Sequence, residues 1–246
     1  MEIVKGERAV FLPRERLVAI SDIHIGFEIE LGRHGVFIPD QSPAFLSRIS
    51  AILKKTGAKR IIILGDVKHS FSSPTFLEEE KVVSFLESLS KLARVEIVPG
   101  NHDGELGNVL PRKIKLHKAS GAIIGKTGFF HGHSWPDERL LSARTLVFSH
   151  LHPNVAFLDS LGGFHKEPCY LAGLIPREKL AENYKKVPKK LLRALVLPAF
   201  NSLLGGSIIQ DVDFSRGFWK CIDTESLNAI LIDGTVLGGI ESLGEY

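Results

Sequence analysis

Five times within the first 152 residues, a short apolar run stops at a cluster of Asp, His or Asn. Arg16–Ile20 leads into Asp22-Ile-His24, and Arg60–Leu64 into Gly65-Asp66-Val-Lys-His69. Val95–Val98 leads into Gly100-Asn101-His102-Asp103, Thr127–Phe130 into His131-Gly-His133, and Thr145–Phe148 into Ser149-His150-Leu-His152. Runs this short, apolar and mostly β-branched predict strands buried on both faces. Between them, Ser42–Lys55 and Phe76–Leu92 place apolar residues at helical spacing, with Ser42-Pro43 as cap and first turn. A further helix is expected from Phe27 to Gly35, with Phe27, Ile29 and Leu31 buried and Glu28 and Glu30 exposed. Alternation of this kind makes an α/β sheet covered by helices. Ligands of open α/β sheets bind at the carboxyl ends of the strands, so five such ends can share one site.

Beyond residue 110 the pattern changes. Lys113–Lys118, Gly121–Gly125 and Thr127–Phe130 read as consecutive strands, which predicts a mixed or antiparallel half. Further strand-like runs follow at Ala194–Leu197, Phe218–Ile222, Leu227–Ile232 and Thr235–Ile240. No linker-like tract interrupts the chain, and residues 1–246 read as one domain. Its motif-bearing core is 1–155, and 156–246 complete the fold.

The chemistry of the five clusters suits divalent metals. Asp-x-His and His-x-His on extended stubs would each send two side chains to one face. Carboxylate, imidazole and one amide without thiolate favour Mn, Fe, Zn, Co or Ni in a catalytic site over a structural zinc. The two cysteines, Cys169 and Cys221, show no metal spacing and fit a reducing cytosol. No apolar run is long enough to span a membrane. One Met and two Gln beside abundant Lys, Arg and Glu lean toward a heat-adapted source. There is no Gly-x-x-x-x-Gly-Lys-Ser/Thr loop and no Gly-x-Ser-x-Gly elbow, which disfavours an NTP-driven motor and a serine hydrolase.

In this order, Asp-x-His, Gly-Asp-x-x-His, Gly-Asn-His-Asp, His-Gly and x-His-x-His resemble the calcineurin-like metallophosphoesterases. The resemblance implies a four-layer α-β-β-α sandwich with mixed sheets and a dinuclear metal site. By position, Asp22, His24, Asp66 and His152 would hold the first metal. Asp66 would bridge to the second, completed by Asn101, His131 and His150. His102 would be the general acid, oriented by Asp103, and His69 would lie near the substrate. His131 precedes the glycine, as the family's ligand does, which leaves His133 to face the substrate. Ser149 departs from the family, which usually carries Gly there. Leu197–Asn201 and Gly205-Gly206 resemble an archaeal and bacterial subgroup similar to metallophosphoesterases associated with DNA ligase and helicase genes.

The implied activity is metal-dependent phosphoester hydrolysis, with Mn²⁺ the first choice of metal and a bridging hydroxide as nucleophile. A phosphodiesterase is the leading expectation. A phosphomonoesterase, a scaffold without turnover and a nucleic-acid-binding subunit are the alternatives. Residues 176–193 carry seven Lys or Arg against two Glu. Such a run is ordinarily a solvated face. It also makes nucleic acid a candidate partner.

Overall fold

The computed structural model describes residues 1–71, 75–158 and 161–244. The first sheet has six strands in chain order: β1 (Glu2–Ile3), β2 (Val10–Leu12), β3 (Leu17–Ile20), β4 (Arg60–Leu64), β5 (Arg94–Val98) and β6 (Lys115–Leu116). The strands β3 to β6 run parallel, and β1 and β2 are antiparallel additions at one edge. Helices α1 (Phe27–Arg33), α2 (Ser42–Thr56), α3 (Phe76–Leu92) and α4 (Leu106–Val109) lie in the crossovers.

The second sheet has eight strands, from β7 (Ala122–Ile124) through β8 (Thr127–Phe129), β9 (Thr145–Phe148), β10 (Asn154–Leu158), β11 (Phe164–Ile175), β12 (Leu192–Val196) and β13 (Asp223–Leu231) to β14 (Val236–Gly239). Its order is β14-β13-β11-β12-β9-β8-β7, with β10 paired to the outer half of β11. A short helix α5 (Arg177–Ala181) and several 3₁₀ turns cover its outer face.

Strand alternation sorts the side chains into three cores. Val18 and Ile20, Ile61 and Ile63, and Val95 and Ile97 pack under α2 and α3. Their neighbours Leu17, Ala19, Ile62, Leu64 and Val98 meet Phe129, Val147, Leu195 and Leu197 between the sheets. Leu146, Phe148, Ala194 and Val196 face the outer 3₁₀ layer. The period of two thus makes four layers from strands that are apolar on both faces. Among the described residues, no helix is long and apolar enough to cross a membrane.

Several expectations need correction. Phe218–Ile222 is not a strand: Gly217–Cys221 is a 3₁₀ helix, whose three-residue period puts Phe218 and Cys221 together in the core. On α1 it is Glu28 that is buried, because Lys81 Nζ reaches its Oε1 at 2.5 Å, while Phe27, Ile29 and Leu31 are only partly covered. The long strand β11 was not expected at all. Its charged outer half, His165-Lys-Glu-Pro168, pairs only with β10, so it has neither apolar alternation nor a second neighbour to demand it.

Candidate metal centre

The five polar clusters converge at one end of the two sheets. Asp22, His24 and Asp66 follow β3 and β4 of the first sheet; His131, His150 and His152 follow β8 and β9 of the second. The stubs are not extended. Asp22, His24, Asp66, His150 and His152 all lie at positive φ, between 49° and 73°, as do only Arg16 and Glu105 among the other described non-glycine residues. Asp and His tolerate this region better than most residues, yet each such site costs about 1–3 kcal/mol unless its surroundings enforce it. The paired histidines accordingly diverge: His150 joins one group and His152 another.

Three groups of three possible ligand atoms result, each within 4.8 Å of one another: Asp22, His24 and His152; Asp66, His131 and His150; and His24, His69 and His102. In the first, Asp22 Oδ1, His24 Nε2 and His152 Nε2 are buried without a hydrogen-bond partner. Among the described residues only Ser42 Oγ, remote on α2, shares that condition. Asp22 Oδ1 and His152 Nε2 stand 3.0 Å apart without the alignment of a hydrogen bond. Orphaned buried polar atoms are rare in folded proteins, and three converging on one point fit a cation.

In the second group, His131 Nδ1 donates to the Leu64 carbonyl at 2.8 Å, which aims Nε2 inward. That nitrogen meets Asp66 Oδ2 at 3.3 Å, Asn101 Oδ1 at 3.2 Å and His150 Nδ1 at 3.2 Å. Burial opposes a charge on His131, but Asp66 and Asp22 outweigh it and push its pKa up to about 9. The carboxylates therefore hold a proton where a metal would sit. Burial presses His24 down to about 3 and His150, beside His131, to about 4, so both are neutral and ready to ligate. Asp66 also links the groups: its Oδ2 is 3.5 Å from His24 Nε2. Two glycines make this approach possible. A side chain on Gly65 would strike the His131 ring, and one on Gly100 would strike Asp66.

His102, in the third group with His24 and His69, places its Nε2 3.9 Å from Asp66 Oδ2. The His102 ring is held by the His69 carbonyl, which accepts from Nδ1. Asp103 does not orient it, contrary to expectation. The Asp103 carboxylate accepts instead from the backbone N–H groups of Val67 (2.9 Å), Lys68 (3.3 Å) and Gly100 (2.9 Å), tying the second and third motif loops together. His69 places Nδ1 3.2 Å from His24 Nδ1 and its ring beside that of His102. The exposed His133 lies with its ring 5.3 Å from His131. Ser149, the departure from the family pattern, is fully buried and donates from Oγ to Asp22 Oδ2.

Asn201 is a site residue that motif reading leaves aside. Its Nδ2 donates to the Ile23 carbonyl at 3.0 Å, and its backbone N–H to that of Asp22. The loop after β12 thereby latches the Asp-x-His stub. An Asn beside an apolar Leu-Pro-Ala-Phe run was the available signal. Trp135 rests on Phe218 and Tyr184 and is 38% exposed.

A family model described as calcineurin-like phosphoesterase matches residues 15–189. Among solved structures, a Pseudomonas putida nuclease, MPE, superposes with a TM-score of 0.60 at 19% identity, covering 93% of this chain and 90% of that one. This likeness is one of fold. An E. coli phosphoesterase, Yfce, gives 0.41 at 16% identity over 90% and 96%. No curated protein matches the chain.

Proposed function

The chain belongs to the calcineurin-like phosphoesterase family, a family of metal-dependent phosphoester hydrolases, and from that premise we propose that it is a dinuclear phosphodiesterase acting on nucleic-acid strands. The observation that carries the reading is the pair of interlocked ligand groups with three orphaned buried atoms. Asp22, His24, Asp66 and His152 would hold one metal; Asp66, Asn101, His131 and His150 the other. Divalent metals bound there supply Lewis acidity toward a phosphoryl oxygen and lower the pKa of water.

The protein's own groups do the rest. The His69 carbonyl engages Nδ1–H of His102 and leaves Nε2 as the free atom, so the imidazolium form of the ring would hand its Nε2 proton to the leaving oxygen as the ester P–O bond breaks and end as the neutral Nδ1–H tautomer. Asp103 keeps the His102 loop in place through backbone bonds. Phe71, 62% exposed, packs its ring 3.6 Å from that of His102 and offers an apolar wall to the leaving group's organic part. A diester, whose leaving group and retained substituent are both organic, uses this wall and the His133 side together. The Lys-rich segment supports nucleic acid as substrate. Lys185, Lys186, Lys189 and Lys190 are exposed, and Tyr184 among them packs against Trp135, two residues from His133.

The test is metal titration of the stripped protein, followed by a panel of aryl monoester, aryl diester, cyclic nucleotides and single- and double-stranded DNA and RNA with Mn²⁺. Hydrolysis of diesters, abolished by chelator and by His102→Ala, is expected. Turnover confined to monoesters would replace the diesterase reading. Two metals per chain with no turnover on any member would leave a scaffold.

A further inference from the structure

A cavity of about 200 Å³ opens beside His152 and is bounded by Arg8, Asn154, Lys166, Ser202 and Gly206. It is smaller than the ~300–1,000 Å³ typical of pockets for drug-sized molecules, so it suits one small group. Two cations reach it from different parts of the fold. Arg8, in the turn between β1 and β2, is partly buried. Its Nη1 donates to the carbonyls of Ala199 (3.1 Å) and Asn201 (3.2 Å), the loop that latches the Asp-x-His stub. Among the described residues, its Nε and Nη2 have no partner and its charge has no carboxylate within ion-pair distance. The adjacent Glu7 is committed to Arg48 at 2.5 Å. A partly buried guanidinium without a counter-ion is costly, and it becomes favourable when an anion completes it.

Lys166 comes from the outer half of β11. Strand alternation places Lys166 and Pro168 on the cavity wall and leaves Glu167 off it, although the charges of Glu167 and Glu7 still act on Arg8 from beyond the lining. The opposite wall is Gly206, where any side chain would strike Asn154 and the His152 carbonyl. The cavity therefore has bare backbone on one side, two cations without a carboxylate at ion-pair distance on the others, Lys166 also lying 5.8 Å over the Phe164 ring, and a candidate metal ligand at its mouth.

We propose that Arg8 and Lys166 form a subsite for a second phosphate of the substrate, next to the phosphate being cleaved. The proposal rests on the phosphoesterase reading of the metal centre. It makes the enzyme selective for substrates with at least two phosphate groups, such as an oligonucleotide or a terminally phosphorylated dinucleotide.

The experiment compares the dinucleotide TpT with its 5′-phosphorylated and 3′-phosphorylated forms on the Mn²⁺-loaded protein. Wild type is expected to favour one phosphorylated form, chiefly through KM. A charge-assisted hydrogen bond corresponds to roughly 10- to 100-fold in affinity. Lys166→Gln should remove most of that preference while lowering kcat/KM for TpT less than threefold; Arg8→Gln should remove it too, with a further general loss because Arg8 also braces the 199–201 loop. Lys166 is exposed and holds no part of the fold together, so the test survives if Arg8→Gln melts early. Equal rates on all three dinucleotides in wild type, or equal losses on all three in Lys166→Gln, would overturn the subsite. If wild type cleaves no dinucleotide, the phosphoesterase reading has failed separately. The subsite then stands on binding of inorganic pyrophosphate to the metal-free protein, which both substitutions should weaken about tenfold and which must be present in wild type.

Discussion

Two clusters of carboxylate and histidine belong to the same parallel sheet, one within its strands and one beyond their carboxyl ends, and they could hardly be used more differently. In the middle of β5, Glu96 is fully buried yet fully met. Its Oε1 accepts from Arg60 at 2.5 Å, and its Oε2 faces His117 at 2.8 Å and Lys115 at 3.7 Å. At the carboxyl end of β3, Asp22 and His24 are buried and His152 is partly buried, and each has a buried polar atom without a hydrogen-bond partner. The residue types alone do not separate a structural cluster from a ligand site. The count of satisfied partners does. One cluster is complete within the protein; the other is complete only with something added.

The largest expected effect falls on the incomplete cluster. His102→Ala should lower turnover by about 10²–10⁴-fold while metal content, measured by elemental analysis, stays at the wild-type level. Loss of metal together with activity would make His102 a ligand and collapse its distinction from the six residues of the two ligand groups.

Next comes metal removal. Ions at a hundredfold above Kd add about 2.7 kcal/mol to the folded state, read as a fall in Tm on adding chelator. Asp22→Asn should erase most of that response, and Glu96→Gln should leave it intact. A chelator-sensitive Tm that survives Asp22→Asn would show the first group to be no site.

Glu96→Gln is the converse experiment. It should lower stability by roughly 1–3 kcal/mol in denaturant melts, because charged hydrogen bonds are lost, and leave kcat unchanged. The pH dependence separates the regions as well. Burial works against the Glu96 charge, but Arg60 and His117 hold the carboxyl below its usual range. Its contribution is present above about pH 4.3, the unfolded value, and is lost as pH falls through the lower folded one. His24 and His150, depressed to about 3 and 4, act earlier. Unfolded chains take up their protons from about pH 6.5 downward, so the metal-free protein should already weaken between pH 6.5 and 4. Melts of the metal-free protein from pH 8 to 3 should show two stages, and Glu96→Gln should flatten only the lower one.

The smallest effect concerns Ser149. Replacing it with Gly removes the hydroxyl that fixes Asp22 Oδ2, and metal affinity by calorimetry should fall roughly tenfold. No change would mean that the backbone at Asp22 already sets the carboxylate.

The convergence of the five clusters was legible in the sequence because each sits at the end of an apolar run, and period-two burial makes such runs strands of a covered sheet. What escaped depends on partners distant in the chain. Nothing near Asp22 says that it takes a positive φ, because the enforcing bonds come from Gly65 and Asn201. Asp103 reads as the partner of its neighbour His102, yet the backbone of residues 67, 68 and 100 captures it. Glu28 looks exposed on a short helix until Lys81 arrives from α3. Arg8 carries no motif at all.

Strand order adds a consequence in time. β12, made of residues 192–196, lies between β9 and β11, and the loop that follows it latches Asp22 and Ile23. The ligands Asp22 to His152 therefore leave the ribosome well before the strand and loop that hold them. A chain cut short before residue 201 would carry every ligand and lack the clamp. If that clamp sets the affinity of the ligand groups, tight metal binding should appear only in chains that extend past residue 201, which would tie metal capture to closure of the sandwich.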